Sequence, residues 1–280
     1  MCRLYGFRAN EPTKVECTLV QAQNALMVQS RSDLRGKAHE DGWGIAYYKN
    51  SAASIEKRIA AAHEDLHFGV MAERVHSTTV VAHVRQATVG AITPRNTHPF
   101  QYGRWVFAHN GTVARFDHAR RLLEQRIDAE LLELRQGETD SELAFYWILS
   151  RLRRSGVDLD AGCDDPRLLA EALSDSVHAL EAMGVGGEKP AKLNFLLTDG
   201  KVLVASRWRN SLFMVSRRGI RDCEVCGVPH VDHEPGSDYR AIVIASEPIS
   251  GEDWQELPEG SVVVVTSDLQ VERLVAGLPS

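Results

Sequence analysis

Met1-Cys2-Arg3-Leu4-Tyr5-Gly6-Phe7 puts a cysteine at the second position, directly ahead of a short run read as a strand. If Met1 is removed, Cys2 carries both a thiol and a free α-amine. Thiolate is the nucleophilic form of cysteine, and a neighbouring base generates it. An α-amine with a pKa of about 8 titrates near neutrality and can act as that base. One terminal residue then supplies nucleophile and base together. The alternative is a small buried hydrophobe on the first strand, and position 2 alone does not separate the two.

Working outward, His83-Val84-Arg85-Gln86-Ala87-Thr88-Val89-Gly90 places an arginine where a strand gives way to a turn of small residues. The planar fork of Arg85 suits a substrate carboxylate; a surface ion pair is the plainer reading. Phe107-Ala108-His109-Asn110-Gly111 ends a strand with a side-chain amide and a glycine. Asn110 and the Gly111 N–H can hold an oxyanion, although an isolated Asn-Gly is more often a turn. Thr139-Asp140-Ser141-Glu142 opens a helix. Asp140 is placed to bind an ammonium, or Thr139 and Asp140 are ordinary capping residues.

Together with Asp41-Gly42-Trp43-Gly44-Ile45 and Asn96-Thr97-His98-Pro99-Phe100, these segments in this order resemble the glutaminase domain of class II glutamine amidotransferases, within the N-terminal-nucleophile hydrolases. The resemblance covers roughly the first half of the chain. It implies an α+β fold, a four-layer αββα sandwich. Cys2 is then the nucleophile and its own amine the base. Asn110 and Gly111 form the oxyanion hole. Arg85 clamps the α-carboxylate of a glutamyl group and Asp140 its α-ammonium, Thr88 and His98 line the pocket, and Arg3 supports the nucleophile. The implied reaction is hydrolysis of a γ-glutamyl amide through a Cys2 thioester, releasing glutamate and ammonia or an amine. Many relatives carry Trp after the arginine and His after the threonine; here they are Gln86 and Val89. Val89-Gly90 resembles the branch that acts on γ-glutamyl compounds in ergothioneine synthesis. The Asp41–Gly44 and Asn96–Phe100 segments resemble the branch that includes the glutathione-degrading partner of yeast. The mixture leaves the leaving group open.

The bulk numbers agree with an ordinary globular enzyme. The chain has 280 residues, 44% of them hydrophobic and 25% charged, with a net charge of -6. An acidic balance argues against a nucleic-acid partner. No segment reads as a membrane span or a signal peptide, so a cytoplasmic enzyme is expected. Five cysteines without a signal peptide speak against a disulfide framework.

Periodicity and turn signals predict strands at 3–7, 43–48, 55–62, 78–85 and 105–109, then helices at 116–135, 140–154 and 166–183. Helices are also expected at 19–28 and 66–75. Strands follow at 193–197, 202–206, 211–215, 241–246 and 261–265. That order suggests layered α+β architecture in one domain spanning 1–280, with no room for a second catalytic domain. The strand-rich tail is expected to complete the sandwich. Ammonia would then be released or passed to a separate synthase partner, and self-association into a homo-oligomer is left open.

Residues 219–238 form a Cys/His-rich loop. Cys223, Cys226, His230 and His233 could supply the four ligands of a structural zinc ion. The two histidines sit closer together than in a zinc finger, so a reduced dithiol and a plain solvent loop remain alternatives. No cofactor is expected for catalysis, because Cys2 is itself a nucleophile. Rival readings are a non-catalytic binding protein of the same fold and a zinc-dependent interaction module.

Overall fold

Alternation along the first strand sets up the layering. In β1 (Arg3–Lys14) Tyr5, Phe7 and Ala9 bury beside Leu19, Leu26 and Phe68, whereas Leu4 buries beside Val106, Leu196 and Val263. Successive strand residues point to opposite faces, so β1 is coated on both sides and lies in the middle of the molecule. The computed structural model describes residues 2–219, 223, 227–228, 231 and 238–275.

After β1 come α1 (Leu26–Arg31), β2 (Trp43–Lys49), β3 (Ala52–Arg58), α2 (Leu66–Arg74), β4 (His76–Val84), β5 (Phe100–Tyr102) and β6 (Trp105–Thr112). A helical block follows, of α3 (Phe116–Glu124), α4 (Ala129–Leu132), α5 (Asp140–Arg154) and α6 (Pro166–Met183). The chain then runs through β7 (Lys192–Thr198), β8 (Leu203–Ser206), β9 (Phe213–Arg218), β10 (Arg240–Ala245), β11 (Gln255–Glu256), β12 (Ser261–Val265) and β13 (Val271–Val275). A seven-stranded sheet has the order β11-β9-β10-β1-β4-β2-β3, and a six-stranded sheet the order β13-β12-β8-β7-β6-β5. In the first, Tyr5 lies opposite Ala245 on one side and Ala82 on the other, both antiparallel.

The sheets face each other across an apolar seam of Leu4, Val81, Val106, Leu196, Ile244 and Val263. Phe68 and Ala72 of α2 and Leu26 of α1 cover the outer face of the first sheet. Phe145, Leu149 and Leu173 of α5 and α6 cover the outer face of the second. Phe107 stacks on Phe145 at 5.3 Å, a contact worth about 0.5–1.5 kcal/mol beyond its buried area. The result is the four-layer αββα sandwich. Among the described residues no helix is long and apolar enough to cross a membrane.

Local signals placed several elements well. Asp165 caps α6 by accepting the Arg167 and Leu168 N–H groups, and Pro166 occupies the first turn. Elsewhere tertiary contacts intervened. The expected helix over 116–135 is broken because the Asp128 N–H donates to Ser150 Oγ of α5. The expected helix over 19–28 becomes a π-helical turn over Cys17–Gln21 and then α1, with the Asn24 N–H drawn off to Ile249 O. Asn110-Gly111 does not end its strand: β6 continues to Thr112, with Asn110 opposite Asn194 and Gly111 opposite Leu193. β5, β11 and β13 are strands that the sequence pattern did not announce.

Candidate active site

Cys2 stands at the head of the central strand and is 8% exposed. Its Sγ accepts the Gln86 N–H at 3.3 Å and lies 3.4 Å from Gln86 O. Burial pushes the thiol pKa up, with the Asp140 charge adding to the rise, while the Gln86 N–H and the Arg85 charge pull the other way. The thiol therefore needs a base to become a nucleophile.

Arg85 continues the β4 edge past its last strand residue. Its N–H donates to Gly42 O at 2.7 Å, and the Asp41 N–H donates to Arg85 O at 3.1 Å. Its guanidinium donates to Ala91 O and Val89 O, both at 3.2 Å. A guanidinium has five donors, so holding the 86–91 loop leaves others for a ligand. Asp41 Oδ2 accepts the Ala87 N–H at 2.7 Å, which pins the same loop. Thr88 is exposed on the loop, and its Oγ1 meets Thr112 Oγ1 at 3.1 Å.

Asn110 projects into the seam on the same face as Val106 and Ala108. Its Nδ2 donates to Ser246 Oγ at 3.1 Å, and that oxygen also accepts the Leu4 N–H at 2.9 Å. Asn110 O accepts from Asn210 Nδ2 at 2.9 Å, while Asn110 Oδ1 is buried with no partner. At Gly111 an added Cβ would sit 1.7 Å from Lys192 O, so the strands pass here only because the residue is glycine. Lys192 O in turn accepts His109 Nε2–H at 2.9 Å.

Asp140 is the first residue of α5, where Thr139 Oγ1 accepts the Glu142 N–H at 3.1 Å. Its Oδ2 accepts the Val113 N–H at 2.7 Å and its Oδ1 the Ser141 N–H at 2.9 Å.

His98 is 4% exposed and packs on His83 at 4.2 Å and Phe100 at 4.7 Å between ring centres. Neither of its ring nitrogens has a partner. Burial, then the neighbouring histidines, hold its pKa well below the usual range. His83 is pushed down to about 3 by burial, although its Nε2–H donates to His109 O at 3.3 Å. The backbone carbonyl of His98 runs close to β2, since a Cβ on Gly44 would lie 2.2 Å from it.

Arg85 and Asp140 thus lie within electrostatic reach of Cys2, Asn110 joins Leu4 through Ser246 Oγ, Thr88 meets Thr112 on an exposed loop, and His98 is packed beside His83. Arg3, expected to support the nucleophile, anchors a second buried group whose other members sequence reasoning missed. Arg3 Nη1 donates to Cys2 O at 3.0 Å, and its Nη2 pairs with Glu247 at 2.8 Å and with Asp33. Asp33 also meets His39 Nε2 at 3.2 Å. Burial and the Arg3 charge push His39 down to about 4. Asp33, His39, Ser246, Asn210 and Glu247 carry no local motif; their roles come from partners far along the chain.

Of the proposed zinc ligands, Cys223 is half-buried and its N–H donates to Val228 O at 3.1 Å. Cys226, His230 and His233 lie outside the described residues. Among the described residues no three or more His, Cys, Asp or Glu side chains are arranged to hold a metal ion.

An αββα sandwich with a cysteine at the head of its central strand is the fold of N-terminal-nucleophile hydrolases. Residues 1–273 match the family described as glutamine amidotransferases class-II, and the chain belongs to that family. It is 30% identical to the probable glutamine amidotransferase DUG3 of Saccharomyces cerevisiae, over 95% of this chain and 82% of that one. It is 26% identical to the gamma-glutamyl-hercynylcysteine sulfoxide hydrolase of Mycobacterium tuberculosis (strain CDC 1551 / Oshkosh), over 95% and 93%. The solved structure of a predicted glutamine amidotransferase from Pseudomonas aeruginosa PA01 superposes with a TM-score of 0.62 at 26% identity, covering 96% of this chain and 99% of that one.

Proposed function

We propose that this chain, acting as one domain over 1–280, hydrolyses the γ-glutamyl amide of glutamine or of a γ-glutamyl compound through a Cys2 thioester. The observation that carries this reading is that the charges of Arg85 and Asp140 act on one buried thiol, Cys2, while Asn110 is tied through Ser246 Oγ to the main chain two residues after it. Arg85 binds the α-carboxylate and Asp140 the α-ammonium. Thr88 and His98 shape the pocket around the glutamyl chain.

With Met1 removed, the Cys2 α-amine takes the thiol proton, and Sγ attacks the γ-carbonyl. The carbonyl oxygen becomes an oxyanion facing Gly111 N–H and the Asn110 amide. The two ends of an amide have the same shape. If Ser246 Oγ donates to Asn110 Oδ1, the Nδ2 donors turn to where the unpaired oxygen now lies. Loss of one such donor typically costs about 10²–10³ in rate. The C–N bond breaks, the leaving amine takes the proton from the Cys2 α-ammonium, and a thioester remains. Water, deprotonated by the same amine, cleaves the thioester to glutamate and regenerates the thiol. No cofactor takes part in these steps.

Intact mass before and after incubation with 6-diazo-5-oxo-norleucine, a glutamine-like electrophile, tests this. Loss of Met1 and one stoichiometric adduct mapped to Cys2 are expected, and Cys2→Ala takes up no label and loses all turnover. A folded protein that retains Met1, or that loses it and stays unlabelled, would overturn the reading.

A further inference from the structure

A buried hydroxyl on the turn after β10 bridges the two halves of the site. Ser246 follows the last residue of β10 and is 0% exposed. Its main chain is fixed at both ends: its N–H donates to Leu4 O at 3.1 Å, and its carbonyl accepts Ser211 Oγ–H at 2.9 Å. Among the described residues its Oγ has two hydrogen-bond contacts, the Leu4 N–H at 2.9 Å and the Asn110 side-chain amide at 3.1 Å. One hydroxyl therefore links the head of β1, two residues past the nucleophile, to the amide assigned to the oxyanion.

The count of donors fixes which way round that amide sits. A serine hydroxyl has one donor hydrogen and two acceptor lone pairs, whereas a backbone N–H only donates. The Leu4 N–H takes one lone pair, so the hydroxyl hydrogen is left for Asn110. With Nδ2 toward Ser246, that hydrogen meets another donor and goes unbonded, and Asn110 Oδ1 is buried without a partner as well. With the amide turned through 180°, Ser246 Oγ–H donates to Oδ1 and both groups are satisfied. Only the Nδ2 hydrogens then lack acceptors. Leaving a buried polar group unbonded is costly, so the turned arrangement is preferred. The main chain of Asn110 has no such choice, because its carbonyl accepts Asn210 Nδ2–H at 2.9 Å and its strand is paired with β7.

We propose that Ser246 is a positioning residue, whose hydroxyl locks Asn110 with Oδ1 toward Ser246 and Nδ2 presented as the oxyanion donor. This rests on the γ-glutamyl hydrolase reading of the site and adds the residue that orients its oxyanion hole. Position 246 needs one atom that accepts from a backbone N–H and donates to an amide oxygen, which a hydroxyl does and a methyl group cannot. A donor aimed before the substrate arrives costs no reorganisation at the moment of reaction.

Neutron diffraction from the native protein reads the amide directly and needs no variant. Deuterium on Ser246 Oγ pointing at Asn110 Oδ1 is expected; Nδ2 facing Ser246 overturns the proposal. Kinetics read the consequence, as kcat and KM for L-glutamine and γ-glutamyl p-nitroanilide in Ser246→Ala, Asn110→Ala and the double variant. Ser246→Ala should lower kcat about ten- to hundredfold, short of the about 10²–10³ for a donor lost outright, with KM unchanged. In the Asn110→Ala background the same substitution should cost nothing more, because Ser246 acts through that amide. A role confined to holding Leu4 would cost as much in both backgrounds. That result, or an unchanged kcat in Ser246→Ala, overturns the proposal while leaving the hydrolase reading intact. Iodoacetamide alkylates Cys2 without forming an oxyanion, so its rate should be the same in the native protein and in Ser246→Ala. Slower alkylation would put the damage at the nucleophile and overturn the positioning role. A native protein that cleaves neither compound overturns the hydrolase reading and the oxyanion role with it.

Discussion

The two polar clusters buried beside Cys2 follow opposite rules. Arg3, Asp33, Glu247 and His39 form a group in which the charged side chains face one another, and backbone N–H groups of residues 34, 35 and 37 complete the carboxylates. His83, His98 and His109 form a group of neutral rings, in which His98 leaves both nitrogens unpaired and His83 leaves Nδ1 unpaired. Buried charge survives only when paired, and removing one partner strands the other. A neutral imidazole is cheaper to bury, and an unmade hydrogen bond costs roughly 1–3 kcal/mol. The first cluster is therefore a clamp that ties the 33–39 loop and the turn after β10 to the head of β1. The second is a buried packing unit of neutral rings.

The sharpest way to break this contrast is Arg3→Met. It leaves Asp33 and Glu247 buried without their cation and should cost about 3–5 kcal/mol, read as a lower urea midpoint at unchanged slope. A loss below about 1 kcal/mol would mean that the cluster is no clamp.

Acid should act on both clusters. His39 is held down to about 4 and His83 down to about 3, against about 6.5 in the unfolded chain. With the folded pKa depressed, the unfolded state binds the proton first. Stability is then full above about pH 6.5 and is lost as pH falls toward 4. For His39 alone the loss is on the order of 3 kcal/mol. Urea midpoints between about pH 7 and pH 4 should decline accordingly, and His83→Phe should make the decline shallower. An unchanged slope in that variant would place the titration elsewhere.

His98→Phe has the smallest expected effect on stability, within about 1 kcal/mol, because both ring nitrogens are already unpartnered and Phe keeps the packing on Phe100. If His98 lines the glutamyl pocket, kcat/KM should nonetheless fall about tenfold. Unchanged kcat/KM would reduce His98 to a packing residue.

Some of this was determined by the sequence alone. Residues 3–7 read as a strand, Thr139 and Pro166 mark where α5 and α6 begin, and the ordered motifs from Cys2 to Asp140 carry the family and its candidate residues. These signals are local: a strand-forming run, a cap, a short run of residue types. Only the tertiary structure decided that Asn110-Gly111 lies inside a strand, because that depends on pairing with Asn194 and Leu193 more than eighty residues later. Only it joined Ser246 to Leu4 and Asn110, and Glu247 to Arg3, across sequence separations of 242, 136 and 244 residues. A serine and a glutamate after a strand look the same in sequence whether they face solvent or a buried guanidinium. The difference lies in what the fold packs against them, and a contact between distant residues leaves no periodicity or spacing to read.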